Sequence, residues 1–229
     1  MKKLLLSLLA GVSITGCTPA PAVEYDLQVE DHFTNGSMGC MMMRECTKEV
    51  KEVKSIKDVE NYQKAEHPLI KKEFNDLVKA LNDVGVNVYI APQYYFLVGT
   101  RGVYYTAGND VFLNAELTKR STTLMYLLRH EGWHTAQDCM AGGIDNNFIA
   151  IVFPEEKVPG FLQDLVKNTY SDPERKASIV WEKEAYMAGH TPGMTQKALE
   201  VCAGGKMWET YEPTPLTKKF LVEKGYMAK

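Results

Sequence analysis

The stretch His130-Glu131-Gly132-Trp133-His134 constrains this chain more than any other. Residues four apart on an α-helix lie one above the other, so two histidines at that spacing share a face and can hold one metal ion between them. The arrangement works only on a helix, and the preceding residues supply one. Leu124, Leu127 and Leu128 form an apolar stripe, and Ser121 or Thr122 stands where an N-cap belongs. A helix over residues 122–139 is predicted. Glu131, beside the first histidine, is placed to take a proton from a water activated by the metal. Two imidazoles, a carboxylate base and an open coordination position are the parts of a hydrolytic zinc site.

Elements on either side can be read from periodicity. Residues 68–84 form a helix with Pro68 in the first turn, a stripe of Leu69, Ile70, Phe74, Leu77, Val78 and Leu81, and Gly85 past the end. Four β-rich runs follow at 86–91, 94–98, 103–106 and 111–114, separated by Gly99-Thr100-Arg101-Gly102 and Ala107-Gly108-Asn109-Asp110 as turns. Residues 141–159 are glycine-rich and irregular around one apolar run, 148–153, and 161–168 suits a short helix. Ser171-Asp172-Pro173-Glu174 is a helix start, with Asp172 or Ser171 capping, for a helix that runs to 189. Further helices are expected at 195–202 and 216–224. Residues 36–63 are ambiguous, although Val50, Val53, Ile56 and Val59 recur every three positions. Met41, Met42 and Met43 suit adaptable core packing better than copper or haem ligation.

The N-terminus has a different character. Lys2 and Lys3 precede an apolar run over residues 4–14 that is too short to span a bilayer. Its order of charged, apolar and small residues is that of a secretory signal. Ile14-Thr15-Gly16-Cys17 resembles the lipobox of bacterial lipoproteins. On that resemblance residues 1–16 are a signal peptide, Cys17 is lipidated, and residues 17–36 are a tether. Residues 37–229 form one domain, which is long enough for a real core. The chain is then exported and lipid-anchored to the cell envelope, and Thr18 after the cysteine favours the outer membrane, facing the periplasm. The formal net charge is −3, or −5 without Lys2 and Lys3. Lys48, Lys51, Lys54 and Lys57 alternate with acids as a solvated face, so nothing indicates a nucleic-acid partner.

Four cysteines besides Cys17 remain, and an even count in an exported chain favours disulfides. Three pairings are possible. Bridging Cys139 to Cys202 would staple the metal helix to the helix that closes the site and leave Cys40 with Cys46 as a local loop. A four-cysteine zinc site is the rival, but no CxxC pair is present.

Helix, small sheet, metal helix and later helix is the order found in zincin metallopeptidases, and residues 86–189 resemble the catalytic half of that family in organisation. The resemblance implies an α+β fold in which a small, mainly antiparallel sheet packs on the HExxH helix and a later Glu-bearing helix. It also implies one zinc ion, a third protein ligand, and a peptide or protein substrate. The metzincin branch would need Gly at 137 and His at 140, where this chain has Gln137 and Met140. The gluzincin pattern takes a glutamate from a later helix, and Trp181-Glu182-Lys183-Glu184-Ala185-Tyr186-Met187-Ala188-Gly189 is similar to such a helix.

Periodicity ranks the two glutamates. Ala177, Val180, Trp181, Glu184 and Ala188 share an apolar face on which Glu184 is the only charge, and a buried carboxylate needs a cation. Glu184 is therefore preferred as third ligand, with Glu182, on the more polar side with Ser178, Arg175 and Tyr186, as the fallback. Ala185 and Ala188 would let this helix approach the HExxH helix closely. Several gluzincins place an aspartate four residues after the third ligand. Here that position is Ala188, and Asp138 is the candidate for a comparable supporting role.

The chemistry implied is attack of water on a carbonyl with Glu131 as general base, and His190 or Tyr186 as oxyanion donor. Residues 111–114 would offer their strand edge to an extended peptide. Two other readings use the same residues. One is a hydrolase of a non-peptide amide. The other is a non-enzymatic envelope lipoprotein in an assembly or binding role, to which residues 18–67 would contribute a partner-binding segment.

Overall fold

The computed structural model of the chain describes residues 37–45, 48–171 and 176–228. The signal segment, Cys17 and its tether, Cys46 and the helix start at Asp172-Pro173 lie outside the described residues. Helix α4 (Ser121–Met140), which carries the two histidines, is the longest among them, and every residue from His130 to Met140 is buried. Burial on all sides is why the sequence here shows no sustained polar face. Neither Ser121 nor Thr122 caps it. Arg120 holds the cap position without a side-chain bond, and the Ser121 hydroxyl lies 2.9 Å from Nδ1 of His67 instead.

The remaining elements wrap this helix. A four-stranded sheet of β1 (Lys51–Glu52), β2 (Asn87–Ala91), β3 (Gly102–Tyr105) and β4 (Asp110–Asn114) has the order β1-β2-β4-β3. The β2–β4 pairing is parallel and the other two are antiparallel. Alternation along the strands sorts two cores. Val88, Ile90, Tyr104, Val111 and Leu113 face α2 (Ile56–Gln63), α3 (Lys71–Asp83) and α4. Tyr89, Ala91, Val103, Tyr105 and Phe112 face a second cluster built on Met41 of α1 (Ser37–Met42), Tyr95 and Phe96. The methionine segment is thus packing material, and the paired Arg44 and Asp110 fasten it to the sheet. The fold is mixed α+β.

Several expectations are corrected. Residues 94–98 are not a strand: Gln93–Tyr95 is a 3-10 turn after Pro92, its first amide bonded to Glu116. Pro68–Ile70 is likewise a 3-10 turn, and Leu69 is exposed rather than part of the α3 stripe. The run at 111–114 offers no free edge, because β4 lies between β2 and β3. The strand at that side of the sheet is β3.

On the far side of α4 pack α6 (Ile179–His190) and α7 (Met194–Ala203), with α5 (Gly160–Thr169) against α6. Ala185 and Ala188 are fully buried in this contact. Two glycines set the spacing. A Cβ on Gly132 would meet Thr195 of α7 at 3.0 Å, and one on Gly189 would meet the Tyr126 ring at 2.6 Å. Helices α8 (Met207–Thr210) and α9 (Pro215–Glu223) close the end of the molecule, where the Trp208 indole donates to the Met140 carbonyl. None of the described helices is long and apolar enough to cross a membrane.

Cys139 and Cys202 are bridged, with Cα atoms 5.9 Å apart. The pairing is the one anticipated, but the helix it staples to α4 is α7, since Cys202 lies inside it. Cutting a loop of 63 residues free should cost about 2–5 kcal/mol of stability. Denaturant melts of Cys139→Ser against wild type will measure it, and equal stabilities would mean that the bridge contributes nothing.

Asp138 provides a second test. It is fully buried, accepts from the Tyr104 hydroxyl at 2.8 Å, and leaves its other oxygen without a partner. Burial pushes its carboxyl up to about 7. The folded state therefore holds a proton that the unfolded chain releases at lower pH, and stability falls as pH rises through that value. Asp138→Asn mimics the protonated form. Melts across pH should find it more stable than wild type by about 1–3 kcal/mol above pH 7 and level with it in acid.

Candidate metal centre

His130 and His134 project from one face of α4, and the carboxylate that meets them belongs to Glu182 in the first turn of α6. Oε2 of Glu182 is 3.2 Å from Nε2 of His130, and Oε1 is 3.7 Å from Nε2 of His134. One donor atom from each residue lies within 4.8 Å of the other two, so the three can hold a metal ion. The electrostatics fit. Glu182 Oε2 is buried and, among the described residues, has no partner other than the His130 nitrogen 3.2 Å away, a deficit that a cation would remove. Burial alone would raise the Glu182 carboxyl, but the two imidazoles and the Tyr170 hydroxyl hold it down at about 2. Burial likewise opposes a charge on His130, yet Glu182 and Glu131 raise its pKa.

His134 is oriented from behind. Its Nδ1 lies 2.7 Å from Oε1 of Gln137, while the Gln137 amide NH2 donates to the Trp181 carbonyl at 3.0 Å and to Glu184 at 2.9 Å. The Trp181 carbonyl can only accept, so the amide faces one way. His134 then carries a proton on Nδ1, and Nε2 is the atom that faces Glu182. A partner that fixes the tautomer of a ligating imidazole is the outer support such a site requires.

Glu184, the preferred ligand on sequence grounds, is not at the centre. Its burial was anticipated correctly, at 1 % exposure, but among the described residues no cation compensates it. Four neutral donors do so: the Val152 and Phe153 amides at 3.2 and 2.6 Å, the Trp133 indole at 3.2 Å and Gln137. Burial pushes its carboxyl up to about 7, and those donors supply the pull toward the anion. Glu182 and Glu184 thus serve neighbouring stripes of α4, the first meeting 130 and 134, the second 133 and 137. Asp138, considered for the supporting role that Gln137 fills, instead bonds Tyr104.

Glu131 faces the cleft beside this group. The cleft encloses about 890 Å³ and is lined by His130, Glu131, Tyr126, Tyr170, Tyr186, His190, Gly102 and Arg101 among others. Glu131 is buried and accepts from the Tyr104 backbone amide of β3. Burial raises its pKa, and the two histidines only partly offset this. Both suggested oxyanion donors line the same cleft. The Tyr186 ring packs edge-on against His130 with centroids 5.2 Å apart, and burial keeps its hydroxyl protonated. His190 is exposed and gives Nδ1 to the Tyr186 carbonyl at 2.8 Å. Its Nε2 therefore donates only from the doubly protonated ring, whereas the Tyr186 hydroxyl donates as it stands.

Sequence reasoning missed Gln137, Tyr170 and the Tyr104 amide. Gln137 alone carried a signal, lying one turn beyond His134 on the same face. No protein family, curated protein or solved structure matches this chain.

The two glutamates should part under substitution. Glu182→Ala should lose bound transition metal. Glu184→Gln should keep most of it but lose about 1–3 kcal/mol of stability as its donors are left mispaired. Elemental analysis beside thermal melts separates them, and metal loss in Glu184→Gln equal to that in Glu182→Ala would refute the assignment.

Proposed function

We propose that this chain is a zinc-dependent hydrolase of the zincin type, most simply a peptidase. The observation that carries the reading is Glu131. A carboxylate with a raised pKa faces a large cleft beside a two-histidine, one-glutamate group without being one of its three donors. A purely structural ion site has no use for such a base. His130, His134 and Glu182 would hold the ion, and two nitrogens with one oxygen are a donor set suited to zinc. Zinc bound there supplies Lewis-acid chemistry, lowering the pKa of water and polarising a carbonyl.

The remaining work falls to the chain itself. Glu131 accepts a proton from the attacking water as its oxygen adds to the carbonyl carbon. It passes that proton to the amine nitrogen as the carbon–nitrogen bond breaks. Tyr186 donates to the oxygen that gains charge. Strand β3, at the sheet edge with Gly102 on the cleft, offers backbone groups to an extended peptide. The Cys139–Cys202 bridge supports placement of the enzyme in an oxidising compartment, consistent with export and anchoring at Cys17.

Glu131→Gln tests the reading. It should keep the fold and the metal while lowering hydrolysis of an unstructured protein substrate by about 10²–10⁴-fold. Full retention of biological activity in this variant would instead favour a non-enzymatic envelope lipoprotein that keeps the metal group for structure.

A further inference from the structure

Two arginines line the cleft, and they differ in what holds them. Arg129 is fully committed: Nε and one terminal nitrogen each meet a Glu73 oxygen at 2.7 Å, and the other bonds the Gly189 carbonyl. Arg101 is exposed on the lining, and among the described residues no hydrogen bond or ion pair engages its guanidinium. Its backbone is nevertheless fixed. The Arg101 carbonyl accepts from the Asn114 amide at 2.9 Å, and the Asn114 side chain donates to the Thr100 carbonyl at 2.8 Å. Gly102 packs so closely on Leu127 that a Cβ there would come within 2.9 Å of its side chain. A free cation thus stands on a rigid turn at the start of the edge strand. Its charge reaches the Tyr126 and Tyr186 hydroxyls beside the metal group.

Among the described residues the lining gives this cation no acidic partner, since Glu131 is the one carboxylate there. In a chain whose formal net charge is −3, such a cleft is a local exception. A planar guanidinium with its donors unfilled is matched by a carboxylate, which it binds through two parallel hydrogen bonds.

We propose that Arg101 selects substrates bearing a carboxylate near the bond to be cleaved. The inference rests on the hydrolase reading of the same cleft and names its substrate class: acidic peptides. The carboxylate is either an Asp or Glu side chain or a peptide's own C-terminus.

The test uses full-length, zinc-loaded Glu131→Gln protein, so that binding is read without cleavage. Fluorescent Ala-Gly-Leu peptides carry one Glu, Gln or Lys moved stepwise along the sequence, each with a free or an amidated C-terminus. At one position the Glu peptide should bind about 10- to 100-fold tighter than its Gln counterpart, the range for a hydrogen bond to a charged group. Arg101→Ala in the same background should erase the preference without weakening the Gln peptide. Arg101→Glu should turn it toward Lys. Selectivity that follows the free C-terminus instead identifies the terminal carboxylate as the source. Equal binding of Glu and Gln peptides, a preference that survives Arg101→Ala, or no peptide binding at all would overturn the proposal.

Cleavage by wild type is scored separately. Hydrolysis without charge preference keeps the enzyme and removes the role of Arg101. Carboxylate-selective binding without any hydrolysis keeps Arg101 and removes the enzyme.

Discussion

His130, Glu131, His134, Gln137 and Asp138 all sit on one helix with less than a tenth of their surface exposed, and each polar group buried there without a partner costs several kcal/mol. Much of the surrounding structure supplies those partners. Helix α6 brings Glu182 to the two imidazoles, and strand β3 brings the Tyr104 amide to Glu131 and the Tyr104 hydroxyl to Asp138. The segment at 152–153, with no regular structure of its own, brings two amides to Glu184, which in turn holds Gln137 against His134. The chain from an irregular loop to a ligating nitrogen is therefore four groups long and continuous. A disturbance at Phe153 has a direct path to the tautomer of His134.

This dependence also decides what could be read from the sequence. The metal helix was legible because a spacing of four is a local property, and α3 and the strands at 86–91, 103–106 and 111–114 were legible through their period. The glutamate that meets the two histidines was not. The inference that a carboxylate buried at 184 needs compensation was sound, but it assumed that the compensation must be a charge. Four neutral donors serve instead, and two of them are backbone amides of a stretch with no periodic signal. Glu182 looked polar and solvent-facing because its partners lie on another helix, 48 to 52 positions away. Strand order failed for a similar reason. Residues 111–114 are as apolar as an edge strand that packs on a helix, and only the parallel pairing with β2 reveals that both sides are taken.

A metal ion at the group formed by His130, His134 and Glu182 would compete with protons. With Glu182 held at about 2, the His130 imidazole beside it is drawn toward protonation, and an incoming metal ion would have to displace that proton. The Gln137 amide biases that competition. By taking the Nδ1 proton it turns Nε2 of His134 toward Glu182, whereas a ring without that partner could place a single proton on either nitrogen. A glutamine does this without adding charge. An aspartate in its place would strengthen the bond to the imidazole but stand beside Glu184, putting two carboxylates in one apolar pocket.

Glu131 meets its own version of the same balance. A base useful near neutrality needs a pKa above that of a free carboxylate, and a second acid close by is one way to raise it. Here burial is the larger cause, and the nearest wall is built from Tyr126, Tyr170 and Tyr186, whose hydroxyls burial keeps neutral. Phenols provide donors without negative charge, so the wall buries the Glu131 carboxyl without setting a second charge against it. Among the described residues the wall adds no acid and Arg129 is already paired, which leaves the guanidinium of Arg101 facing the cleft.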